Sequence, residues 1–307
     1  MKQEQSQERL VLAGPTAVGK TAVGLVLARR LKAHIISADS RQIYKNLNIG
    51  TAKPKAEELA KVPHHMTDIL TPDCAYSAAA FAAEARRTMD ELDKIWQPYI
   101  VVGGSGLYLR ALIEGLVNIP AADPNIRREL KNISGTRGNQ ALFKRLAECD
   151  PETAQRLNVN DGARIVRALE VYMFTGKPLS LWFKEKRQGD SRNYKLIVMD
   201  LDRKTLYQRI EDRVDAMMSK GLLDEVQGLL KRGYGPDSPG MQAVGYRELT
   251  ACLSGKTDLA EAVRLIKRNT RHYAKRQLTW FRKMNYQQWI NCLSNESPED
   301  IANKISV

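Results

Sequence analysis

The sequence predicts an α/β protein: a doubly wound parallel sheet with a helical domain inserted into it. Three observations support this prediction. Short apolar runs alternate with helical segments in the first part of the chain, which is typical of a parallel sheet with helices on both faces. One of these runs leads through a glycine-containing loop directly into a helix. Between about Asp123 and Tyr194 only helix signals remain, and then another apolar strand follows.

The segment RLVLAGP predicts a short buried strand, and TAVGLVLARRL predicts the helix after the intervening loop. The loop matches the pattern G-x-x-x-x-G-K-[ST], which is typical of phosphate binding. Backbone N–H groups approach phosphate oxygens at its glycines, Lys20 adds a positive charge and Thr21 can bind Mg²⁺. We therefore predict a P-loop-type core. The loop residues are Gly14, Pro15, Thr16, Ala17, Val18, Gly19, Lys20 and Thr21.

Two further strands of this core end in polar or glycine residues. AHIISADS predicts a strand that ends at Asp39, and PYIVVGG predicts one that is followed by Ser105 and a helix. Sites of doubly wound sheets lie at the carboxyl ends of strands. We therefore expect Asp39 beside the phosphate loop, as a magnesium ligand or a base, although it could instead cap a helix. Ser105 could donate a hydrogen bond to a phosphate or nucleotide, or the glycines could simply form a tight turn.

The remaining helices are predicted from their ends. SAAAFAAEARRTMDELDKIW predicts a helix with Ser77 as N-cap, and DPNIRREL and DPETAQRL each begin with an Asp-Pro pair. GARIVRALEVYMFTG predicts a helix that ends at Gly176. The predicted domains are a core of residues 1–122 and 195–307 and a helical insertion of residues 123–194. After Asp202 the chain is expected to be largely helical.

The formal net charge of +13 favours a polyanionic partner, because each neutralised phosphate releases counterions. The segment RLIKRNTRHYAKRQLTWFRK predicts a helix with five cations on one face and apolar residues on the other. No carboxylate lies among those cations, which favours contact with RNA or DNA over a merely solvated face. The five are Arg264, Arg268, Arg271, Lys275 and Arg282. The opposite face carries Val263, Ile266, Tyr273 and Trp280 and is expected to pack on the core.

Two signals leave alternatives open. Arg209 and Arg213 lie one turn apart on a predicted helix, where they could bind a diphosphate or form surface ion pairs. The strand LIVMDLD ends near Asp200 and is similar to the magnesium-binding strand of nucleotide hydrolases. A kinase or an NTPase therefore remains possible from these residues alone.

Composition and the apolar runs bear on the cellular location of the protein. No run approaches about 18 apolar residues, which argues against a membrane span. The polar amino terminus argues against a signal peptide, so we expect a cytoplasmic protein. Nothing in the sequence indicates more than a monomer. His64 and His65 are adjacent, and a loop or core role is favoured for them over a metal site.

Six motifs occur in the order seen in bacterial tRNA dimethylallyltransferases: GPTAVGKT, ISADSRQIY, IGTAKP, VGGSGLY, MQAVGYREL and AKRQLTWFR. The chain resembles this family from about Leu10 to Trp289. The resemblance implies that dimethylallyl diphosphate and tRNA are the substrates. A dimethylallyl group would move to the N6 amine of the adenosine next to the anticodon, in the anticodon stem-loop. Remaining alternatives are a small-molecule or nucleoside kinase and an RNA-binding NTPase.

The resemblance also implies roles for individual residues. Asp39 matches the general base, Thr16 and the loop match the diphosphate site, and Arg213 matches an arginine that contacts the leaving group. Lys20 and Mg²⁺ would neutralise that group, with Thr21 as a metal ligand. Ser105 stands where the family usually has threonine. The implied tRNA contacts are Asp39, Ser40, Arg41, Gln42, Ser105, Arg127, Ala163, Arg164, Ile165, Val166, Arg167, Gln242, Gly245 and Arg247. To these the basic helix adds Arg268, Arg271 and Lys275.

Overall fold

The computed structural model describes residues 8–117, 119–120, 123–185 and 189–306. The chain divides into two compact units. One is Glu114–Gly189, and the other comprises the chain up to Ile113 and from Asp190 onward. We call them the helical unit and the sheet unit. Their bounds lie close to the insertion predicted for residues 123–194.

The sheet unit is built on six strands with the order β3-β2-β4-β1-β5-β6. Every pair of neighbouring strands is parallel. Together with the helices between the strands, this confirms the predicted α/β fold. The central strands are apolar because helices cover both faces of a parallel sheet. The strands are β1 (Arg9–Ala13), β2 (His34–Ala38), β3 (His64–His65), β4 (Tyr99–Gly103), β5 (Tyr194–Leu201) and β6 (Gln288–Cys292).

Two strands differ from the expectation. Gln288–Cys292 forms β6 at one edge of the sheet, which was not predicted, although the chain after Asp202 is otherwise largely helical as expected. His64–His65 forms β3 at the other edge. Both are short and partly exposed, and neither contains the continuous apolar run that marks a central strand. An edge strand has a neighbour on only one side and therefore leaves a weaker pattern in the sequence.

The helices of the sheet unit follow the predicted pattern. Ser77 caps its helix by accepting a hydrogen bond from Ala80 N–H, as its position predicted. The ranges are α1 (Lys20–Leu31), α2 (Ala56–Lys61), α3 (Ala78–Lys94), α4 (Gly106–Ile113), α9 (Arg203–Ser219), α10 (Leu222–Lys231), α11 (Tyr246–Leu253), α12 (Leu259–Phe281) and α13 (Pro298–Asn303), with a 3₁₀ turn at Gly240–Gln242.

The helical unit contains α5 (Pro124–Cys149), α6 (Pro151–Arg156), α7 (Gly162–Thr175) and α8 (Leu179–Trp182). Asp123 and Asp150 cap α5 and α6, and each Pro stands in the first helical turn, as predicted. Gly176 ends α7 in the left-handed conformation. Across both units, no described helix is both long and apolar enough to cross a membrane.

Among the described residues, two of the apolar clusters in the sheet unit hold its helices in place around the site. The first packs α1 and α13 against the sheet and includes Leu12, Leu27 and Ile197. The second joins the segment after β2 to α9, α10, α11 and α12, and includes Ile43 and Tyr246. The helices of the second cluster therefore surround the region at the carboxyl ends of the strands. The candidate site lies in this region.

Candidate active site

The phosphate loop spans the gap between β1 and α1. Gly19 precedes the helix with φ 105°, a conformation that favours glycine. A Cβ on Gly14 would lie 2.6 Å from the Met199 carbonyl oxygen, so no side chain fits there. The Lys20 ammonium donates a hydrogen bond of 2.7 Å to the Pro15 carbonyl and closes the loop. The predicted approach of the loop amides to a phosphate remains a prediction, because these contacts are with the protein's own backbone.

Asp39 follows β2, but β4 lies between β2 and β1. The expectation that Asp39 lies beside the strand of the phosphate loop was therefore wrong in its strand order, which no local pattern determines. β4 ends in Gly103 and continues into Gly104, and both border the same cavity as Asp39. A Cβ on Gly103 would lie 2.2 Å from the Ala38 carbonyl oxygen. The second glycine turn thus lets β2 and β4 approach closely.

Asp39 has both a structural contact and a free oxygen. Its Oδ1 accepts hydrogen bonds from Arg41 N–H at 2.8 Å and Gln42 N–H at 3.4 Å. This caps a turn after the strand, a role that the sequence had left open as an alternative. No hydrogen bond to Oδ2 is found among the described residues, so this oxygen is available to a ligand. Ser105 supports the turn, because Ser40 N–H donates to its hydroxyl at 2.9 Å.

Three charged side chains converge on this region. Burial lowers the pKa of Lys20 to about 7, the Asp39 carboxylate opposes that shift, and Arg213 adds to it. Burial also lowers the pKa of the Arg213 guanidinium, again opposed by Asp39. Lys20 and Arg213 are half-buried, and both lie close enough to Asp39 for the three charges to act on one another. Such a group of cations favours an anionic ligand.

These groups line one cavity of about 720 Å³ in the sheet unit. Its walls come from the phosphate loop, the ends of β2 and β4, α9, the segment before α11, and α12. One part of the lining is apolar, with Val214, Leu222 and Ile266 buried. The polar part includes Thr16, Lys20 and Thr21 from the loop, together with Asp39 and Arg213. The cavity lining therefore offers both charged and apolar side chains to a ligand.

For Arg209 and Arg213 the sequence left open whether they bind a diphosphate or form surface ion pairs with Asp212 or Glu211. Both border the cavity, but Arg209 donates a hydrogen bond of 3.1 Å to the Ser294 carbonyl. Arg213 forms no ion pair with a carboxylate in the described part of the chain. The alternative of surface ion pairs with Asp212 or Glu211 thus does not apply to Arg213, and Arg213 is the better placed to meet an anion.

Most predicted tRNA contacts of the sheet unit border this cavity. Gln42 is held by the Thr51 and Ala52 carbonyls, to which its amide donates at 3.3 Å each. Gly245 has φ 99°, and its N–H donates to Glu248 at 2.8 Å. The lining positions in this set are Asp39, Arg41, Gln42, Gln242, Gly245 and Arg247.

The predicted contacts in the helical unit divide into exposed and buried side chains. Ala163 and Arg164 are exposed, whereas Ile165 and Val166 pack in the apolar core of the unit. A side-chain contact of Ile165 or Val166 with tRNA is therefore excluded in this conformation. Arg127 and Arg167 both reach Glu170, which is fully buried, and Arg127 donates to its Oε2 at 2.9 Å. Both guanidinium groups thus neutralise a buried carboxylate.

The basic face of α12 differs from the expectation in its ion pairs. Arg264 pairs with Glu261, Arg271 pairs with Glu211, and Arg282 lies 4.0 Å from Asp200. Neighbouring carboxylates therefore do reach this face, although none lies among its cations along the helix. Arg268 and Lys275 are exposed and form no ion pair with a described carboxylate.

The opposite face of α12 lines the cavity. Ile266, Thr270, Tyr273, Arg276 and Gln277 border it, and on an ideal helix these residues lie opposite to the five cations. Tyr273 was expected only to pack on the core, but burial raises its pKa to about 12 and Asp39 adds to the shift. Sequence reasoning missed Arg276 and Gln277 as site residues, although both lie in the quoted motif AKRQLTWFR.

Asp200 does not border this cavity. It lines a second cavity with Arg203, Lys275 and Arg282, beyond the ends of β5 and β6. Its Oδ1 accepts a hydrogen bond from Leu201 N–H at 2.8 Å. The observation that had favoured a kinase or an NTPase thus loses its connection to the phosphate loop.

The sequence is similar to a known protein family and to named members of it. The IPP transferase family model matches residues 42–284. The chain is 47% identical over 300 residues to tRNA dimethylallyltransferase 2 of Geotalea uraniireducens, covering 97% of this chain and 95% of that protein. It is 46% identical over 292 residues to the tRNA dimethylallyltransferase of Geobacter metallireducens, covering 94% of each.

Solved structures are similar as well. The full-length tRNA isopentenylpyrophosphate transferase of Bacillus halodurans is 38% identical, with a TM-score of 0.70, covering 97% of this chain and 95% of that one. A eukaryotic dimethylallyltransferase acting on tRNA is 30% identical, with a TM-score of 0.76, covering 91% of this chain and 71% of that one. The resemblance found in the motifs is thereby confirmed, and the chain belongs to the IPP transferase family.

Proposed function

We propose that this protein transfers the dimethylallyl group of dimethylallyl diphosphate to the N6 amine of the adenosine next to the anticodon of tRNA. A bond forms between the allylic carbon and the nitrogen, and the bond between that carbon and the diphosphate oxygen breaks. Diphosphate leaves with the bonding electrons, and the amine loses one proton. Relatives that match nearly the whole chain are named tRNA dimethylallyltransferases, which supports the proposal.

The observation that carries the proposal is that Lys20, Arg213 and Asp39 line one cavity. An adenine amine is a weak nucleophile, so the electrophile must be activated. An allylic diphosphate ionises readily once its leaving group is neutralised, and preorganised cations in a buried site do this efficiently. Lys20, Arg213 and the loop amides would neutralise the diphosphate.

Asp39 would receive the proton of the amine. Its Oδ1 is occupied by the turn that follows β2, which fixes the carboxylate. Its Oδ2 faces no donor among the described residues and could accept a hydrogen bond from the amine. General bases act most effectively when they are held within hydrogen-bond reach of the proton they remove.

The apolar part of the cavity suits the dimethylallyl chain. Val214, Leu222 and Ile266 are buried side chains on α9, α10 and α12 that border the cavity. Ligand sites combine an apolar lining with a few polar groups that set orientation. In a prenyl diphosphate an apolar chain is joined directly to the charged diphosphate. In a nucleoside triphosphate the group next to the phosphates is a polar ribose.

A magnesium ion fits the loop only with ligands from the substrate. No described group of three or more His, Cys, Asp or Glu residues could hold a metal. The exposed Thr21 hydroxyl has no hydrogen-bond partner among the described residues and borders the cavity. Mg²⁺ commonly takes one or two protein ligands and completes its shell with phosphates and water. Bound by Thr21 and the diphosphate, it would add positive charge to the leaving group.

tRNA would reach the cavity through an extruded adenosine. Chemistry on a base requires that the base leave its stack, at a cost of a few kcal/mol. The turn of Asp39 to Gln42 and the exposed Arg247 border the cavity, where they could contact the extruded adenosine. The net charge of +13 would contribute binding energy through the phosphate backbone. A kinase or an NTPase would use the same phosphate loop, but Asp200, the other residue that had favoured these alternatives, does not border this cavity.

A transfer assay tests the proposal. The protein is incubated with radiolabelled dimethylallyl diphosphate and bulk tRNA lacking the modification, with Asp39→Asn as control. We expect label in tRNA at the adenosine next to the anticodon, without consumption of ATP. Label that stays in the diphosphate pool, or ATP hydrolysis without transfer, would overturn the proposal.

A further inference from the structure

We propose that Gln277 is a positioning residue for the transfer step, which holds the phosphate loop at a fixed separation from the turn that carries Asp39. The inference rests on the proposed function. Gln277 lies on α12, on the side of the helix that faces the cavity. It contacts none of the groups assigned to the reaction except the backbone of Thr16.

The side-chain amide of Gln277 makes two hydrogen bonds to loop backbones. Its Oε1 accepts from Thr16 N–H at 2.9 Å, in the phosphate loop. Its Nε2 donates to the Gly104 carbonyl at 2.8 Å, in the glycine turn after β4. The residue is 5% exposed, so water does not compete effectively for either contact. The carboxamide group suits this position because its oxygen accepts and its nitrogen donates at the same time.

The contact with Gly104 continues to Asp39. Ser105 follows Gly104, its N–H donates to the Ala38 carbonyl at 3.2 Å, and its hydroxyl accepts from Ser40 N–H at 2.9 Å. Asp39 lies between Ala38 and Ser40. Gln277 and Ser105 thus form a chain of hydrogen bonds from Thr16 to the residues on both sides of Asp39.

The sheet does not supply this connection. Pairing of β1 with β4 ends at Ala13 and Gly103, and pairing of β2 with β4 ends at Ala38 and Gly103. Beyond these residues the phosphate loop and the Asp39 turn are not joined by strand pairing. The side chain of Gln277 connects the phosphate loop to the glycine turn after β4 across this gap.

Gly104 provides further evidence for the contact with Gln277. A Cβ on Gly104 would lie 2.4 Å from Gln277 Nε2, so even alanine displaces the amide. Alanine at residue 104 would therefore push the end of the Gln277 side chain away from its present contact. Substitution of either residue should break the same contact.

The reaction needs the leaving group and the base at a defined separation. Misplacement of reacting groups by about 1 Å can cost on the order of 10²-fold in rate. Loss of the Gln277 contacts should therefore lower kcat more than it weakens the binding of either substrate. A merely structural role would instead lower the amount of folded enzyme and leave kcat per folded molecule unchanged.

Gln277→Met tests the inference, because methionine has a similar size but forms neither hydrogen bond. Single-turnover transfer is measured with both substrates saturating, and the Kd values of inorganic diphosphate and tRNA are measured separately. We expect the rate to fall about 10- to 100-fold, with both Kd values changed less than about threefold. The matched control is Gln288→Met in β6, which removes the hydrogen bond of 2.8 Å that the Gln288 amide donates to the Lys304 carbonyl. It should leave the rate unchanged.

Gly104→Ala provides a second test that stays available if Gln277→Met folds poorly, and a double-substitution cycle applies if both fold. Gly104→Ala displaces the amide while Gln277 remains, and it should reduce the rate in the same way. Because both substitutions break one contact, the double variant should be no slower than the slower single variant. Additive losses, or a Gln277→Met rate within about twofold of the wild type, would overturn the inference.

An independent measurement separates this inference from the proposed function. Thr16 N–H should exchange with solvent faster in Gln277→Met than in the wild type, whatever reaction the enzyme performs. A wild type that transfers no label overturns the proposed function and, with it, the role in transfer. A wild type that transfers label, with unchanged Thr16 exchange in the variant, overturns only the role of Gln277.

Discussion

Lys20 and Asp39 line one cavity at the carboxyl edge of the sheet, and the carboxylate partly offsets the burial that lowers the pKa of the lysine to about 7. Without a ligand, Lys20 is therefore poised between its charged and neutral forms near neutral pH. A bound diphosphate would add negative charge beside it and favour the charged form. Binding of the diphosphate and protonation of Lys20 should consequently be linked.

The first prediction concerns this linkage. Because the pKa of Lys20 in the free protein is lowered to about 7, the ammonium is present below that pH and is lost above it. The affinity for inorganic diphosphate should therefore weaken as pH rises from 7 to 9, by up to about tenfold per unit. Calorimetry in buffers of different ionisation enthalpy at pH 8 should show proton uptake on binding. Lys20→Arg, which stays charged, serves as control and reveals the titration of the ligand itself; equal proton uptake in both proteins would contradict the prediction.

The second prediction concerns Asp39. Alanine would remove both the proposed base and the acceptor for Arg41 N–H, whereas Asp39→Asn keeps an oxygen that can accept this hydrogen bond. Loss of a general base should lower kcat about 10²- to 10⁴-fold. We expect tRNA affinity to change little, because the turn persists. Asp39→Ala should lose the same rate and in addition weaken tRNA binding; an active Asp39→Asn enzyme would make Asp39 a purely structural cap.

The central sheet could be predicted because its evidence is local. β1 leads into a loop whose glycines and Lys20 form one contiguous motif, and the apolar runs of β2, β4 and β5 mark buried strands. The order of the strands could not be predicted, because the insertion of β4 between β2 and β1 depends on pairing between distant segments. The edge strand β6 was missed for a similar reason, since only part of it is buried.

The site divides in the same way. Lys20 and Asp39 follow strand ends, so topology brings them to one edge, and family motifs point to Arg213. Gln277 could not be assigned from the sequence because its role depends on two backbone contacts, with residues 16 and 104. Periodicity placed Tyr273 on the buried face of α12 correctly. It could not show that this face borders a cavity as well as the core.

The third prediction concerns the basic face of α12. Arg268 and Lys275 have no carboxylate partner among the described residues, whereas Arg264 pairs with Glu261. Replacing Arg268 and Lys275 together with Gln should weaken tRNA binding and reduce the slope of log Kd against log salt by about 2. Because this face lies opposite to the cavity, kcat at saturating tRNA should not change. Arg264→Gln is the control, and its smaller effect follows from its existing ion pair. An unchanged salt slope in the double variant would mean that this face is merely solvated.

The fourth prediction concerns Glu225, which holds the loop of residues 48–50. Its carboxylate accepts hydrogen bonds from Ile49 N–H at 2.8 Å, from its two neighbours in the loop, and from the Tyr246 hydroxyl at 2.6 Å. The carbonyls that hold Gln42 follow directly at Thr51 and Ala52. Glu225 therefore supports a predicted tRNA contact although it does not itself border the cavity.

Glu225→Gln should destabilise this loop, because one of its two oxygens becomes an NH₂ group that faces backbone donors. Leaving buried donors unsatisfied costs about 1–3 kcal/mol, which corresponds to a Tm lower by roughly 2–6 °C in a chain of this size. We expect kcat/KM for tRNA to fall because Gln42 loses its fixed partners, while the affinity for inorganic diphosphate persists. Tyr246→Phe removes a single donor to the same carboxylate and should have a smaller effect on both. A loss of diphosphate affinity in Glu225→Gln would show instead that the loop of residues 48–50 supports the whole cavity.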